Sequence, residues 1–215
     1  MSRFRNRAER LAAFEQADLY PVISSEFTLE RPVLDIFRAA ARGGARLIQL
    51  REKNRPLGEL YELALACRPI ADEYGVLLII DDHVDVALAA GADGVHLGQE
   101  DLPLAAARRI APELLLGSST HNREEALAAR GLADYINVGP IFPTQTKSVS
   151  CGALGIAAIA EIAPLACCPF TVMGGIKACH IPELRAAGAK RIAMVTEVTR
   201  APDVEARVRE LRRLF

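Results

Sequence analysis

No charge of either sign dominates this chain: 26 Lys and Arg stand against 27 Asp and Glu over 215 residues. Without a cationic surplus there is no global field to hold a nucleic-acid backbone or an anionic membrane, so any phosphate recognition has to be local. No apolar run approaches the roughly 18 residues that would span a bilayer. The opening stretch Met1–Ala17 is broken by Arg and Glu every few positions, which argues against a signal peptide or anchor. These absences point to a cytoplasmic protein with neither nucleic-acid nor membrane partners. The five cysteines, Cys67, Cys151, Cys167, Cys168 and Cys179, are odd in number and show no C-x-x-C spacing, so neither a disulfide framework nor a zinc site is suggested. Cys151 lies in a loop near the candidate site described below, but no His accompanies it in sequence as the partner of an activated thiol.

What the chain does have is apolar material, 51% of its residues, enough for one sizeable core and at the lower end of the range for a single α/β barrel. One pattern recurs four times: an Ala-rich helix end, a Gly, then a short apolar strand. It reads Ala40-Ala41-Arg42-Gly43-Gly44-Ala45 before Leu47–Leu50, Ala89-Ala90-Gly91-Ala92-Asp93 before Gly94–Leu97, Ala128-Ala129-Arg130-Gly131 before Tyr135–Val138, and Ala186-Ala187-Gly188-Ala189 before Arg191–Val195. Each Gly can adopt the left-handed conformation that ends a helix and turns the chain into a strand. Four further apolar runs, Leu19–Ser24, Val76–Asp81, Leu114–Ser119 and Phe170–Met173, lie between these. Eight continuous apolar strands alternating with helices predict a parallel sheet covered by helices, closed into a single (β/α)8 TIM barrel over residues 1–215, with a doubly wound open sheet as the alternative. Phe4, Leu11 and Phe14 share one helical face, so Met1–Ala17 is expected to form an extra N-terminal helix closing the barrel floor.

In such a barrel the residues at and beyond each strand's C-terminal end share one mouth. Strand two ends in Gln49-Leu50-Arg51-Glu52-Lys53, where alternation turns Gln49, Arg51 and Lys53 to one side. Strand three ends in Asp81-Asp82, and strand four runs into Gly98-Gln99-Glu100-Asp101. Carboxylates on neighbouring strands suit magnesium, which takes one or two carboxylates together with waters and phosphate oxygens; the same residues could instead cap the following helices. Strand five ends in Ser118-Ser119-Thr120-His121, and strand six runs into a loop carrying Thr144, Thr146 and Lys147. After strands seven and eight stand Gly174-Gly175 and Val195-Thr196-Glu197, where many barrels hold phosphate on backbone N–H groups.

Four segments, Gln49–Lys53, Ala92–Asp101, Gly139–Lys147 and Gly174–Ile176, together resemble thiamine-phosphate synthases along nearly the whole chain. The resemblance implies a magnesium-dependent transferase that joins a hydroxymethylpyrimidine pyrophosphate to a hydroxyethylthiazole phosphate and releases pyrophosphate. It assigns Arg51, Lys53, Ser119, Thr146 and Lys147 to pyrophosphate or pyrimidine groups, Gln49 to the pyrimidine, and Asp82 and Asp101 to Mg2+. It places Gly175 and the Val195-Thr196 loop at the thiazole phosphate, with Thr144 nearby. The chain departs from the family pattern at Asp81, beside the pyrophosphate site, where Asn is usual, at Thr196-Glu197, and at Ser148–Gly152. Two other readings follow from the same residues: a thiazole tautomerase, a sister family on this barrel, with His121 as its base, and a non-catalytic protein that binds thiamine precursors. Homo-oligomerisation is left open.

Overall fold

The computed structural model describes residues 2–144 and 152–215. Eight parallel strands close on themselves in chain order: β1 Leu19–Ile23, β2 Leu47–Leu50, β3 Leu77–Asp81, β4 Gly94–Leu97, β5 Leu115–Thr120, β6 Tyr135–Val138, β7 Phe170–Val172 and β8 Ile192–Met194. The closing seam pairs Leu19 with Ile192 and Pro21 with Met194. Around them run α2 Val33–Arg42, α3 Leu57–Tyr74, α4 Val84–Ala89, α5 Leu104–Ile110, α6 Arg123–Ala129, α7 Ala158–Ala166, α8 Ile181–Ala186, α9 Thr196–Thr199 and α10 Val204–Arg212. This is the barrel expected from the repeat, not the open sheet. The glycines that end the repeated helices do adopt positive φ, +95° at Gly44, +65° at Gly91, +76° at Gly131 and +95° at Gly188.

Strand alternation divides the apolar residues into two cores. Outward residues such as Ile48, Leu50, Leu78 and Ile80 pack against the helices; α2, for example, meets them with Val33, Ile36, Phe37, Ala40 and Ala41, the spacing of one helical face. Inward residues form a separate cluster of Tyr20, Val22, Leu47, Leu77, Ile79, Leu115, Tyr135 and Ala193, with Phe14 of the N-terminal helix beneath them.

That helix, α1, is shorter than expected, Arg7–Glu15, because the Asn6 side chain accepts the Glu9 N–H and starts it there. It closes the floor through a repeated electrostatic device. The residue just before or opening each even-numbered strand is charged: Arg46, Asp93, Asp134 and Arg191. Asp93 and Asp134 are almost fully buried. Each accepts a backbone N–H from the preceding strand (Leu78, 2.8 Å; Leu116, 2.7 Å) and an Arg from the helix before that strand (Arg68 of α3, 2.7 Å; Arg108 of α5, 2.6 Å). Each also faces an α1 arginine, Arg10 at 3.5 Å from Asp93 and Arg7 at 2.6 Å from Asp134. The two cationic positions serve the opposite end of α1. Arg191 donates to the Phe14 and Glu15 carbonyls at 2.8 and 3.0 Å, and Arg46 donates to that of Gln16 at 3.2 Å. Cations at the helix C-terminus complement its dipole and its unpaired carbonyls.

Candidate active site

The mouth is built from strand ends. Inward parity on β2 carries Gln49 into the barrel and continues to Arg51, whose N–H extends the ladder to the Ile23 carbonyl at 2.8 Å. Glu52 points the other way and is nearly buried. It accepts both the N–H and the hydroxyl of Ser25, at 2.7 and 2.6 Å, and so ties the loop after β1 to the loop after β2. Its neighbours Arg51 and Lys53 face the end of β3: Arg51 Nε lies 3.4 Å and Lys53 Nζ 3.5 Å from the same Asp81 oxygen. The Lys53 ammonium also donates to Asp82.

Asp82 holds a left-handed backbone, φ +63°, a conformation that non-glycine residues keep only where their surroundings impose it. This brings its carboxyl within hydrogen-bonding reach of Asp101. Asp101 accepts the Gly98 N–H at 2.6 Å. Burial works to raise both acids. At Asp82 the Lys53 ammonium outweighs it and holds the pKa below the usual range, whereas at Asp101 the neighbouring Asp82 adds to burial and pushes the pKa up. Two carboxylates within reach of each other, with an ammonium against one of them, mark a place that favours positive charge. Neither aspartate caps a helix: the residues preceding α4 and α5 are His83 and Pro103. Among the described residues no cluster of three or more His, Cys, Asp or Glu could hold a metal. Two carboxylates are nevertheless a sufficient protein share for magnesium, whose other positions go to water and phosphate.

Beneath this rim the barrel wall carries polar side chains. The Gln49 amide nitrogen is 3.2 Å from the Tyr20 hydroxyl, which is 3.1 Å from that of Tyr135. Tyr135 reaches His96 Nδ1 at 3.2 Å, and His96 Nε2 reaches the Ser119 hydroxyl at 3.0 Å. Both phenols are buried, and burial above all raises their pKa, so they remain protonated. Gly117 makes the room: a Cβ there would fall 2.2 Å from Tyr135 Cζ and 2.5 Å from His96 Nδ1. Sequence reading assigned no role to Tyr20, Tyr135, His96 or Glu52. The inward parity of Gln49, Asp81, His96, Ser119 and Asn137 was the available signal.

On the opposite side Thr144, Gly174, Gly175, Val195 and Thr196 line one cleft together with Lys177. Gly175 has φ +63°, and a Cβ on it would lie 2.3 Å from the Pro143 carbonyl oxygen, so close backbone approach requires glycine. Glu197 does not add its charge to this cleft unopposed: it pairs with Arg207, with Lys177 at 3.3 Å, and accepts the Ala178 N–H at 3.3 Å. Burial tends to raise its pKa, but these partners outweigh it and hold it low. His121 donates its backbone N–H to Glu125 at 2.8 Å and places Nδ1 against the same oxygen, closing the first turn of α6. The structure thus brings Gln49, Arg51, Lys53, Asp81, Asp82, Asp101 and Ser119 to one part of the mouth and Thr144, Gly175, Val195 and Thr196 to another. Thr146, Lys147 and Cys151 lie outside the described residues.

Residues 19–198 match the model of the thiamine monophosphate synthase family. The thiamine-phosphate synthase of Pelotomaculum thermopropionicum is 40% identical over 211 residues, 97% of each chain, and that of Halalkalibacterium halodurans is 43% identical over 189 residues, 87% of this chain and 90% of the relative. Among solved structures, a thiamine phosphate pyrophosphorylase from Pyrococcus furiosus superposes with a TM-score of 0.84 at 37% identity, covering 92% of this chain and 95% of that one. A 3-hexulose-6-phosphate synthase, at 20% identity and a TM-score of 0.64, shares the fold. Barrel, rim and the length of the match agree, and the chain belongs to the thiamine monophosphate synthase family.

Proposed function

We propose that this protein is a thiamine-phosphate synthase, a cytoplasmic transferase that joins a hydroxymethylpyrimidine pyrophosphate to a hydroxyethylthiazole phosphate and releases pyrophosphate. The observation that carries the reading is the convergence of Arg51, Lys53, Asp82 and Asp101 at one rim, in a chain similar over 97% of its length to a named synthase.

The chemistry asks for stabilisation of a departing anion rather than for a nucleophilic side chain. In this reading Arg51 and Lys53 contact the pyrophosphate, and they are joined by Ser119, Thr146 and Lys147 as the resemblance implies. Asp82 and Asp101 hold Mg2+, which when bound neutralises phosphate charge as it develops. Gln49 meets the pyrimidine. The thiazole phosphate lies against Gly175, Val195 and Thr196, with Thr144 beside it.

Purified protein incubated with both precursors and magnesium should yield thiamine phosphate by mass spectrometry, and yield should fall when the metal is chelated. Absence of product with both precursors present would sink the proposal. Product formed at an undiminished rate under chelation would remove magnesium and the role of Asp82 and Asp101 from it.

A further inference from the structure

Glu52 sits in sequence between the two cations of the rim and faces away from both. Alternation turns it towards the loop after β1, while Arg51 and Lys53 turn towards Asp81. Its side chain is 3% exposed, and a carboxylate taken that far out of water is costly unless donors replace the water. Here Oε1 accepts the Ser25 N–H at 2.7 Å, and Oε2 accepts the Ser25 hydroxyl at 2.6 Å and the Arg55 Nε–H at 3.4 Å. Ser25 is itself held in place. It opens one turn of 3-10 helix, Ser25–Phe27, in which Phe27 is buried with the Arg200 guanidinium over its ring. Further along the same loop, Arg31 donates to the carbonyls of Thr28, Thr199 and Ala201 at 3.1, 2.5 and 2.9 Å, which ties the loop to the end of α9.

We propose that Glu52 is a positioning residue: by anchoring the backbone between Arg51 and Lys53 to Ser25, it sets the direction of both cations before a pyrophosphate arrives. A carboxylate acting through its charge would do the reverse, since an anion near the site repels pyrophosphate and weakens the pull of both cations. Anchor and charge therefore predict opposite signs for the same substitution. The inference rests on the synthase reading for the roles of Arg51 and Lys53, and it goes beyond that reading by assigning part of the affinity to a side chain that touches no substrate.

Calorimetric titration of the full-length protein with inorganic pyrophosphate and magnesium reads that sign. Glu52→Ala cuts the anchor and should weaken binding by about tenfold, the effect of having to order one or two freed side chains on binding. Glu52→Gln keeps an oxygen for the Ser25 N–H without the charge, and should recover most of the loss. In steady-state assays Glu52→Ala should raise KM for the pyrimidine pyrophosphate and leave KM for the thiazole phosphate unchanged, whereas a merely less stable protein would lose turnover with both KM values intact. Unchanged or tighter pyrophosphate binding by Glu52→Ala overturns the proposal. So does a Glu52→Gln as weak as Glu52→Ala, a rise in both KM values or in neither, or a wild type that binds no pyrophosphate. Should Glu52→Ala not fold, Ser25→Ala removes the hydroxyl bond alone and should weaken pyrophosphate binding to a lesser degree; full wild-type affinity there overturns the proposal equally. If the variants bind in the expected order but the wild type makes no thiamine phosphate, the synthase reading fails and the positioning role stands.

Discussion

Asp81 is one of three places where the sequence departs from the pattern that the resemblance implies, and its surroundings decide what an aspartate does there. One of its oxygens lies 3.4 Å from Arg51 and 3.5 Å from Lys53, so in the proposed function it would compete with pyrophosphate for both cations. Asp81→Asn should therefore strengthen pyrophosphate binding by about 1 kcal/mol, roughly fivefold, the worth of a partly exposed ion-pair contact. Calorimetric titration with inorganic pyrophosphate decides it. Weaker binding in the variant would make Asp81 itself a useful ligand. Of the candidate site, Arg51, Lys53, Asp82 and Asp101 were legible in the sequence because strand ends in a barrel share a mouth and short-range spacing reveals strand ends. Tyr20 and Tyr135 were not: their hydroxyls meet across 115 positions, and a tyrosine inside an apolar run reads as ordinary core. Glu197 was legible only in part. Its sequence neighbours suggested an anion beside a phosphate, whereas Lys177 and Arg207, remote in sequence, absorb that charge.

Among the elements, the loop before α8, helix α9 and helix α10 are held together by Glu197. Its folded pKa is lowered, so its contribution to stability is present above the ordinary carboxylate pKa and lost as pH falls through the depressed value. Glu197→Gln should cost about 1 kcal/mol near neutral pH, and the gap from the wild type should close in strong acid. Denaturant titrations at the two pH values measure it, and a gap independent of pH would contradict the assignment. At the floor, Asp93→Ala strands Arg10 and Arg68 in a buried setting, a loss of roughly 3–5 kcal/mol that lowers the melting temperature by about 10 °C. Turnover below that temperature should stay near the wild-type value, since Asp93 touches nothing at the mouth. A large loss of turnover at full folding would mean that the floor governs the chemistry directly. The eight strands were readable because the Ala-Gly turns recur, whereas the length of α1 was not. Its start depends on Asn6 capping Glu9, and the apolar face alone runs further back, to Phe4.

At the scale of the whole molecule, α1 is integral to the barrel and not an appendage. Phe14 stacks on Tyr135 with ring centroids 4.4 Å apart, and the line of contacts from Tyr135 ends at Ser119 in the mouth. Native-state hydrogen exchange should accordingly show the amides of Leu11 to Phe14 protected to the same free energy as the central strands. Exchange of α1 ahead of the strands would show it to be a separately opening unit. The charged ring beneath the barrel carries one more consequence. Carboxylates meet the arginines along the body of α1, and guanidinium groups meet the carbonyls at its end. A helix of the same composition inserted backwards would bring its cationic side chains towards Arg46 and Arg191 and its bare N–H groups where carbonyls are wanted. The floor is thus a keyed socket that tells one direction of travel along a helix from the other, and the chain can enter its own barrel only one way round.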